Sequence, residues 1–192
     1  MLIPLRLSAQ SDEQLMQRAA RGNDRAFEEL YNRHARRLQG FFRRRLGPDG
    51  ELSADFMHDT FLRLYAARES YREGSSFRAW LYTIAYNLWK NHNRSRLALE
   101  SEGSDCSCIE STMADDDDVE VNMDHAIIYD ALRQILSHMP ETYAMLFSLH
   151  YEEELTIPQI AQITALPEGT VKSRLHKTMN TIKQQLKQYE NQ

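Results

Sequence analysis

Residues 155–179 read LTIPQIAQITALPEGTVKSRLHKTM, and this stretch determines how the second half of the chain is interpreted. A short segment with helical apolar spacing is followed by a turn containing Pro167 and Gly169, and then by a second helical segment that carries several bases. Thr156 can cap the first helix, and Pro158 is tolerated in a first turn because no amide is needed there. This pattern predicts a helix-turn-helix, whose second helix enters the major groove of DNA.

The second helix of this motif is predicted to present its polar side to DNA. Val171 and Leu175 are four residues apart and are expected to anchor the helix inward. The candidate DNA contacts are Lys172, Ser173, Arg174, His176 and Lys177. Among them, Ser173, His176 and Lys172 are assigned to base edges, whereas Lys177 and Arg174 are assigned to phosphates. The alternative is a helical hairpin whose charged side meets only water.

Length and composition restrict the class of protein. The chain has 192 residues, 42% of them hydrophobic, which is enough to bury one large core or two small ones. No apolar run approaches the roughly 20 residues that span a bilayer, and the N-terminus lacks the layout of a secretory signal. We therefore expect a cytoplasmic protein without membrane insertion. Because no phosphate-binding loop, metal-ligand spacing or catalytic triad is evident, we also expect no enzymatic activity, metal or cofactor.

Charge is distributed unevenly along the chain. The net charge is −5, yet residues 1–97 hold 17 bases and 11 acids, while residues 98–124 hold ten acids and no Lys or Arg. The acidic stretch lacks helical periodicity, which predicts a flexible, extended linker. Its Cys106 and Cys108 are interpreted as exposed thiols, with redox sensing as the alternative. The predicted organisation is a domain at 10–97, a linker at 98–124 and a domain at 125–190.

Helical periodicity runs through both domains. Apolar residues recur at spacings of three and four, Ser11 starts a helix, and the turn at 47–50 separates two others. No alternating pattern of a β-strand is found. The sequence therefore predicts an all-α protein in which two small helical domains are joined by a flexible acidic linker, the second domain ending in the helix-turn-helix.

Residues 77–96 interleave aromatic side chains with bases, a combination that suits single-stranded nucleic acid. Phe77 and Trp80 have the apolar spacing of core residues and are assigned to packing. The predicted contacts on the polar side are Tyr86, Asn87, Lys90, Asn91 and Arg94. The arginines at 36, 37 and 43–45 form a further basic patch, which fits phosphate steering and simple solvation equally well.

Two distant motifs resemble the same protein family. DFMHDTFLRLY at 55–65 and FRAWLYTIAYN at 77–87 resemble region two of bacterial sigma factors, and DRAFEELY at 24–31 is similar to its opening helix. Residues 139–175 resemble region four. The layout of two domains without an intermediate one resembles the extracytoplasmic-function (ECF) branch of the sigma-70 family. The chain departs from the family pattern at His58, where Gln is usual, and at Asn91, where many members have Asp.

The resemblance implies a sigma factor that binds core RNA polymerase and directs promoter-specific transcription initiation. The domain like region four is expected to read the −35 element as duplex and to bind the flap of the second-largest subunit. The domain like region two is expected to melt the −10 element, to hold it as single strand, and to dock on the clamp of the largest subunit.

The resemblance also implies roles for individual residues. Tyr71, Arg72 and Ser75 match the family's pocket for a flipped base. The polymerase-docking helix carries Asp55, His58, Asp59, Thr60 and Arg63. Promoter DNA and an anti-sigma factor are the other expected partners. The alternative is a helix-turn-helix transcription regulator that is not a polymerase subunit.

Overall fold

A computed structural model describes residues 7–47, 49–101 and 123–189 of the chain. Within these ranges the secondary structure is helical and contains no β-strand. The chain divides into two compact units, Met1–Ala114 and Asp115–Gln192. The all-α prediction is confirmed. Most of the predicted linker, including Cys106 and Cys108, lies outside the described residues.

The described part of the first unit contains four α-helices and two short 3-10 turns. The helices are α1 (Asp12–Ala20), α2 (Asp24–Leu46), α3 (Gly50–Ala66) and α4 (Phe77–Ser101), and the 3-10 turns are Leu7–Ala9 and Arg68–Ser70. Helix α4 continues to Ser101, so the first residues of the predicted linker are helical rather than part of a connection.

The helix starts in this unit follow from local side-chain chemistry. The hydroxyl of Ser11 accepts a hydrogen bond from the amide of Gln14, and the Gln14 side chain accepts one from the amide of Ser11, a capping box. Asn23 accepts a hydrogen bond from the amide of Ala26 at the start of α2. Gly22 precedes it with φ +88°, which L side chains rarely adopt. These caps explain why the boundary between α1 and α2 is readable from sequence.

Aromatic rings from α2, α3 and α4 form the core of the first unit. Phe41 lies with its ring centroid 5.3 Å from that of Tyr82, and Phe42 lies 5.3 Å from Phe56. Phe41, Phe42 and Tyr82 are almost completely buried. Such edge and tilted ring pairs add to the stabilisation from area burial. Helix α2 therefore contributes aromatic rings that contact both α3 and α4.

Replacing Phe41 with alanine is expected to lower the free energy of unfolding of the first unit by about 3–5 kcal/mol, because it opens a cavity between α2 and α4. Both tryptophans of the chain, Trp80 and Trp89, lie in this unit. Their fluorescence during urea unfolding therefore reports on this unit. Leu97→Ala, at a side chain that is 54% exposed, is the control and should change the value by less than about 0.5 kcal/mol. Equal midpoints for the two variants would contradict the assignment of Phe41 to the core.

The second unit contains the predicted helix-turn-helix. Its described helices are α5 (Met123–Ser137), α6 (Glu141–Phe147), α7 (Ile157–Thr164) and α8 (Glu168–Tyr189), with a π-helical turn at Ser148–Glu152 after α6. Ile135, Phe147 and Ile182 bring α5, α6 and α8 together in one cluster. Helix α8 is thereby held in place by the other helices of its unit.

Candidate nucleic-acid and docking interfaces

The turn between α7 and α8 has the geometry that a helix-turn-helix requires. The amide of Thr156 donates to the side-chain oxygen of Gln159 at 2.8 Å and caps α7. Ala165 ends α7 with φ +56°, a left-handed conformation that reverses the chain before Glu168 starts α8. Thr164 is buried at the end of α7 and donates its hydroxyl to the carbonyl of Ile160. These local contacts set the angle at which α8 leaves the turn.

The inward and outward sides of α8 agree with the sequence prediction. Val171 is completely buried and Leu175 is nearly so. The side chains left exposed are Lys172, Ser173, His176 and Lys177. One exposed side of the helix therefore carries two cations, a hydroxyl and an imidazole, which are groups that contact phosphates and base edges.

Arg174 differs from its neighbours because it is half-buried. Its guanidinium lies 5.7 Å from the ring centroid of Tyr143 in α6, and the ammonium of Lys177 lies at the same distance from that ring. A cation near an aromatic ring is held by the ring quadrupole. Tyr143 therefore restrains two of the predicted phosphate contacts at the edge of the exposed side.

The loop before α4 closes on itself through Tyr71. The Tyr71 hydroxyl donates to the carbonyl of Ser75, and its ring lies 5.3 Å from the ring of Trp80. Tyr71 and Ser75 are half-buried, whereas Arg72 is exposed. Gly74 has φ +82°, a conformation that glycine adopts without strain. The three predicted loop residues thus lie together in a short, internally bonded loop.

The Tyr71 phenol is expected to ionise at higher pH than an ordinary tyrosine. Burial is the main cause that raises its pKa from 10.0 to about 12, and the negative charges of Glu13 and Asp12 add to it. A raised pKa means that the fold favours the neutral phenol. The stabilisation is therefore complete below pH 10 and is lost as the pH rises through about 12. Ultraviolet titration of tyrosinate should show a late ionisation step that Tyr71→Phe removes; an unchanged titration curve would contradict this.

The outer side of α4 carries most of the residues predicted to contact single-stranded DNA. Asn87, Lys90, Asn91 and Arg94 are all exposed. Tyr86 is only 8% exposed, and its ring lies 5.7 Å from that of Trp89. The expectation that Tyr86 lies on the polar side of the helix is therefore wrong.

The burial of Tyr86 has a reason that is visible in the sequence. Positions 82, 85, 86 and 89 follow the i, i+3, i+4, i+7 spacing of a helix stripe, and all four are buried. Tyr86 is predicted to contact DNA because it belongs to the aromatic and basic pattern of residues 77–96. Counting the spacing rather than the residue type would have placed it in the core.

The predicted docking helix α3 presents charged groups at its surface. Asp55, His58 and Arg63 are exposed, and Asp59 is half-buried with its carboxylate 3.0 Å from the Arg63 guanidinium. Thr60 is completely buried, and its hydroxyl donates to the carbonyl of Phe56. The prediction that Thr60 contacts a partner is wrong, because the side chain lies on the inward stripe and its hydroxyl is already bonded within the helix.

An apolar groove beside these groups was not predicted. It encloses about 270 Å³ between α2 and α3 and is lined by Phe27, Tyr31, His58, Phe61, Leu62 and Tyr65. Leu62 is 69% exposed. The inward side of α3 is a stripe of buried residues. Since Met57, Phe61 and Leu64 occupy that stripe, position 62 falls outside it. The spacing of these residues along the helix is a signal in the sequence that could have predicted an exposed Leu62.

The walls of the groove are held by contacts between α2 and α3. Ring centroids lie 4.8 Å apart for Tyr31 and Phe61, and 4.9 Å apart for Phe27 and Tyr65. The Tyr65 hydroxyl donates to Asp24 at 2.8 Å, and this hydrogen bond is the main cause that raises the pKa of Tyr65. These contacts hold the side chains that line the groove, so the groove is already formed in the protein without a partner.

Two family profiles match the two units. Residues 30–97 match sigma-70 region 2, and residues 129–182 match sigma-70 region 4. The chain belongs to the ECF branch of the sigma-70 family. Its function is that of a promoter-directing RNA polymerase sigma factor. The family prediction made from the two motifs is confirmed.

Relatives of this sigma factor match it over nearly their whole length. It is 29% identical over 184 residues to the RNA polymerase sigma-H factor of Pseudomonas aeruginosa, covering 92% of this chain and 94% of the relative. It is also 29% identical over 179 residues to the ECF RNA polymerase sigma-E factor of Escherichia coli, covering 90% and 92%.

Two solved structures share the fold. The structure of CnrH in complex with the cytosolic domain of CnrY has a TM-score of 0.65 at 21% identity and covers 93% of this chain and 98% of that one. The sigma factor RpoE of Bartonella quintana, solved with the anti-sigma factor NepR, has a TM-score of 0.65 at 20% identity and covers 84% and 96%.

Two further properties follow from the described part of the sigma factor. None of its helices in residues 7–47, 49–101 and 123–189 combines the length and apolar character that a membrane crossing demands. The same residues contain no group of three or more His, Cys, Asp or Glu side chains that could hold a metal ion.

Proposed function

We propose that this sigma factor docks on core RNA polymerase through the groove between α2 and α3. The exposure of Leu62 is the observation that supports this most. A large apolar side chain in water gains free energy when a partner covers it. Asp55, His58 and Arg63 provide polar groups on the same helix, as the rim of a protein interface requires. The proposed partner is the clamp of the largest polymerase subunit.

The proposed −35 contacts are on α8. Ser173, His176 and Lys172 would read base edges of the duplex in the major groove, because they are exposed while Val171 and Leu175 face inward. Lys177 and Arg174, which Tyr143 restrains, would bind phosphates and fix the register. The unit that carries α8 would also bind the flap of the second-largest subunit.

The proposed −10 contacts are on α4 and on the loop before it. Asn87, Lys90, Asn91 and Arg94 would follow the backbone and edges of the melted strand, because all four are exposed along one helix. Tyr71, Arg72 and Ser75 would surround an unpaired base. Since Tyr86 is buried, the aromatic surface available to such a base is the half-buried pair of Tyr71 and Trp80.

Further partners are proposed from the relatives. RpoE of Bartonella quintana was solved with an anti-sigma factor, and we propose that a protein of this kind also controls the present chain. Because its relatives are RNA polymerase factors, the protein would act in the cytoplasm and would have no catalytic activity of its own. The catalytic centre of transcription belongs to the polymerase.

The test is transcription with core RNA polymerase on fragments of the genome from which the protein comes. We expect transcripts only when the protein is present, and we expect their start sites to share two upstream elements. The promoters identified in this way are called the recovered promoters below. Duplex binding by the protein without any transcript would instead support the regulator that acts outside the polymerase.

A further inference from the structure

A polar network fastens the start of α1 to α2. The Asp12 carboxylate accepts hydrogen bonds from Arg33 at 3.0 Å and from His34 at 2.7 Å. Arg33 also donates to the backbone carbonyls of Leu7 and Gln10. The hydrogen bond from His34 is the main cause that lowers the pKa of Asp12, while burial opposes it. The first turn of α1 is therefore fixed by a charged carboxylate and two side chains of α2.

The residue that follows Asp12 reaches a different helix. The Glu13 carboxylate accepts a hydrogen bond from the backbone amide of Phe77, the first residue of α4, at 3.3 Å. The first amides of a helix have no partner within it, and a carboxylate beside them also interacts favourably with the helix dipole. The local cap, Ser76, accepts from the amide of Ala79 instead. Glu13 thus provides a cap for α4 from a part of the chain 64 residues away.

Glu13 also lies close to the loop that precedes α4. Its negative charge contributes, after burial, to the raised pKa of Tyr71. Tyr71 in turn donates to the carbonyl of Ser75 and packs against Trp80. Phe77 is completely buried, with its ring 5.2 Å from that of His34. Helix α1 is therefore coupled to both parts of the proposed −10 site, the loop and the helix.

We infer that Glu13 is a positioning residue for recognition of the melted −10 strand. Its carboxylate fixes the first turn of α4 relative to the loop at 71–76. The helix and the loop therefore keep one relative position when they contact an unpaired base. Glu13 acts through Phe77 and does not itself touch DNA. The inference rests on the proposed −10 site. Without this cap, the Phe77 amide loses its partner and the loop can shift relative to the helix.

The test compares Glu13→Ala and Glu13→Gln in the full-length protein bound to core polymerase. On a recovered promoter, we expect Glu13→Ala to slow strand opening about five- to tenfold, which is the factor that corresponds to the typical free-energy contribution of a helix cap. We also expect it to weaken discrimination between the non-template −10 strand and the same strand with one base substituted. Glu13→Gln should restore most of the opening rate and most of the discrimination, because its amide oxygen accepts the same hydrogen bond. Affinity for core polymerase should stay unchanged in both variants.

The matched control is Glu28→Ala, which removes an exposed carboxylate from α2. If Glu13→Ala opens promoters and discriminates bases like the wild type, while Tyr71→Ala is impaired, the inference is wrong and the proposed −10 site stands. If Glu13→Ala and Glu13→Gln lose helical content and polymerase affinity together, Glu13 is merely structural and the inference is also wrong. If Tyr71→Ala and Arg72→Ala change neither strand opening nor base discrimination, the proposed −10 site is wrong, and the inference, which rests on it, is wrong as well.

Discussion

Replacing Leu62 with aspartate is expected to lower the affinity of the protein for core RNA polymerase by at least about tenfold while leaving its folding stability nearly unchanged. Leu62 is 69% exposed, so the isolated protein loses little packing. In the complex, the change would remove an apolar contact and bury a carboxylate without a partner. Burial of a leucine side chain contributes about 1.5–3 kcal/mol, which corresponds to about ten- to a hundredfold in Kd. Fluorescence anisotropy of labelled protein titrated with core polymerase measures the effect.

The matched control for Leu62 is Leu97→Asp. Leu97 is 54% exposed and lies on α4, away from the groove. It should bind core polymerase like the wild type. If both variants bind like the wild type, the groove is not the docking surface. If both are weakened equally, the effect of Leu62→Asp comes from added negative charge rather than from the groove.

The double variant Ser173→Ala with His176→Ala is expected to lose sequence preference. The preference is the ratio of the affinity for the −35 duplex of a recovered promoter to the affinity for a duplex in which that element is scrambled. We expect this ratio to fall about ten- to a hundredfold. Each good contact between a side chain and a base edge contributes about 1–3 kcal/mol of discrimination. Both side chains are exposed beside each other on α8, so removing them leaves the core of the second unit intact. Binding of the holoenzyme to both duplexes at several salt concentrations measures the preference.

Lys177→Gln provides the contrast for this experiment. As a phosphate contact, it should weaken binding to both duplexes alike and reduce the slope of log K against log salt by about one. Lys187→Gln, three turns further along α8 and also exposed, is the charge-matched control. Unchanged preference in the double variant would remove Ser173 and His176 from the set of base contacts. A change in preference with Lys177→Gln would move Lys177 into that set.

Much of the fold could be predicted because it depends on neighbouring residues. The capping box of Ser11 and Gln14, the cap at Asn23 and the glycine at 22 all act within one turn of the chain. The inward direction of Val171 and Leu175 follows from their spacing alone. For the same reason, four of the five predicted contacts on α8 are exposed, and Arg174 is half-buried.

Two residues predicted to contact DNA or polymerase lie inside the fold instead. Tyr86 is predicted to be a DNA contact from the aromatic and basic pattern of residues 77–96, and Thr60 a docking residue from the resemblance to sigma factors, yet both occupy inward helix stripes. In each case the position along the helix, rather than the chemistry of the side chain, decided the outcome.

The sequence by itself determined the helices, the caps formed by neighbouring residues, the two units and the family, because each of these depends on patterns within a few turns or on a motif read along the chain. Only the tertiary structure decided which side chains line the groove between α2 and α3 and that Glu13 caps α4. Both depend on contacts between residues that are distant in sequence, such as Tyr31 with Phe61 and Glu13 with Phe77. Contacts of this kind arise only when whole helices pack, so no local pattern encodes them.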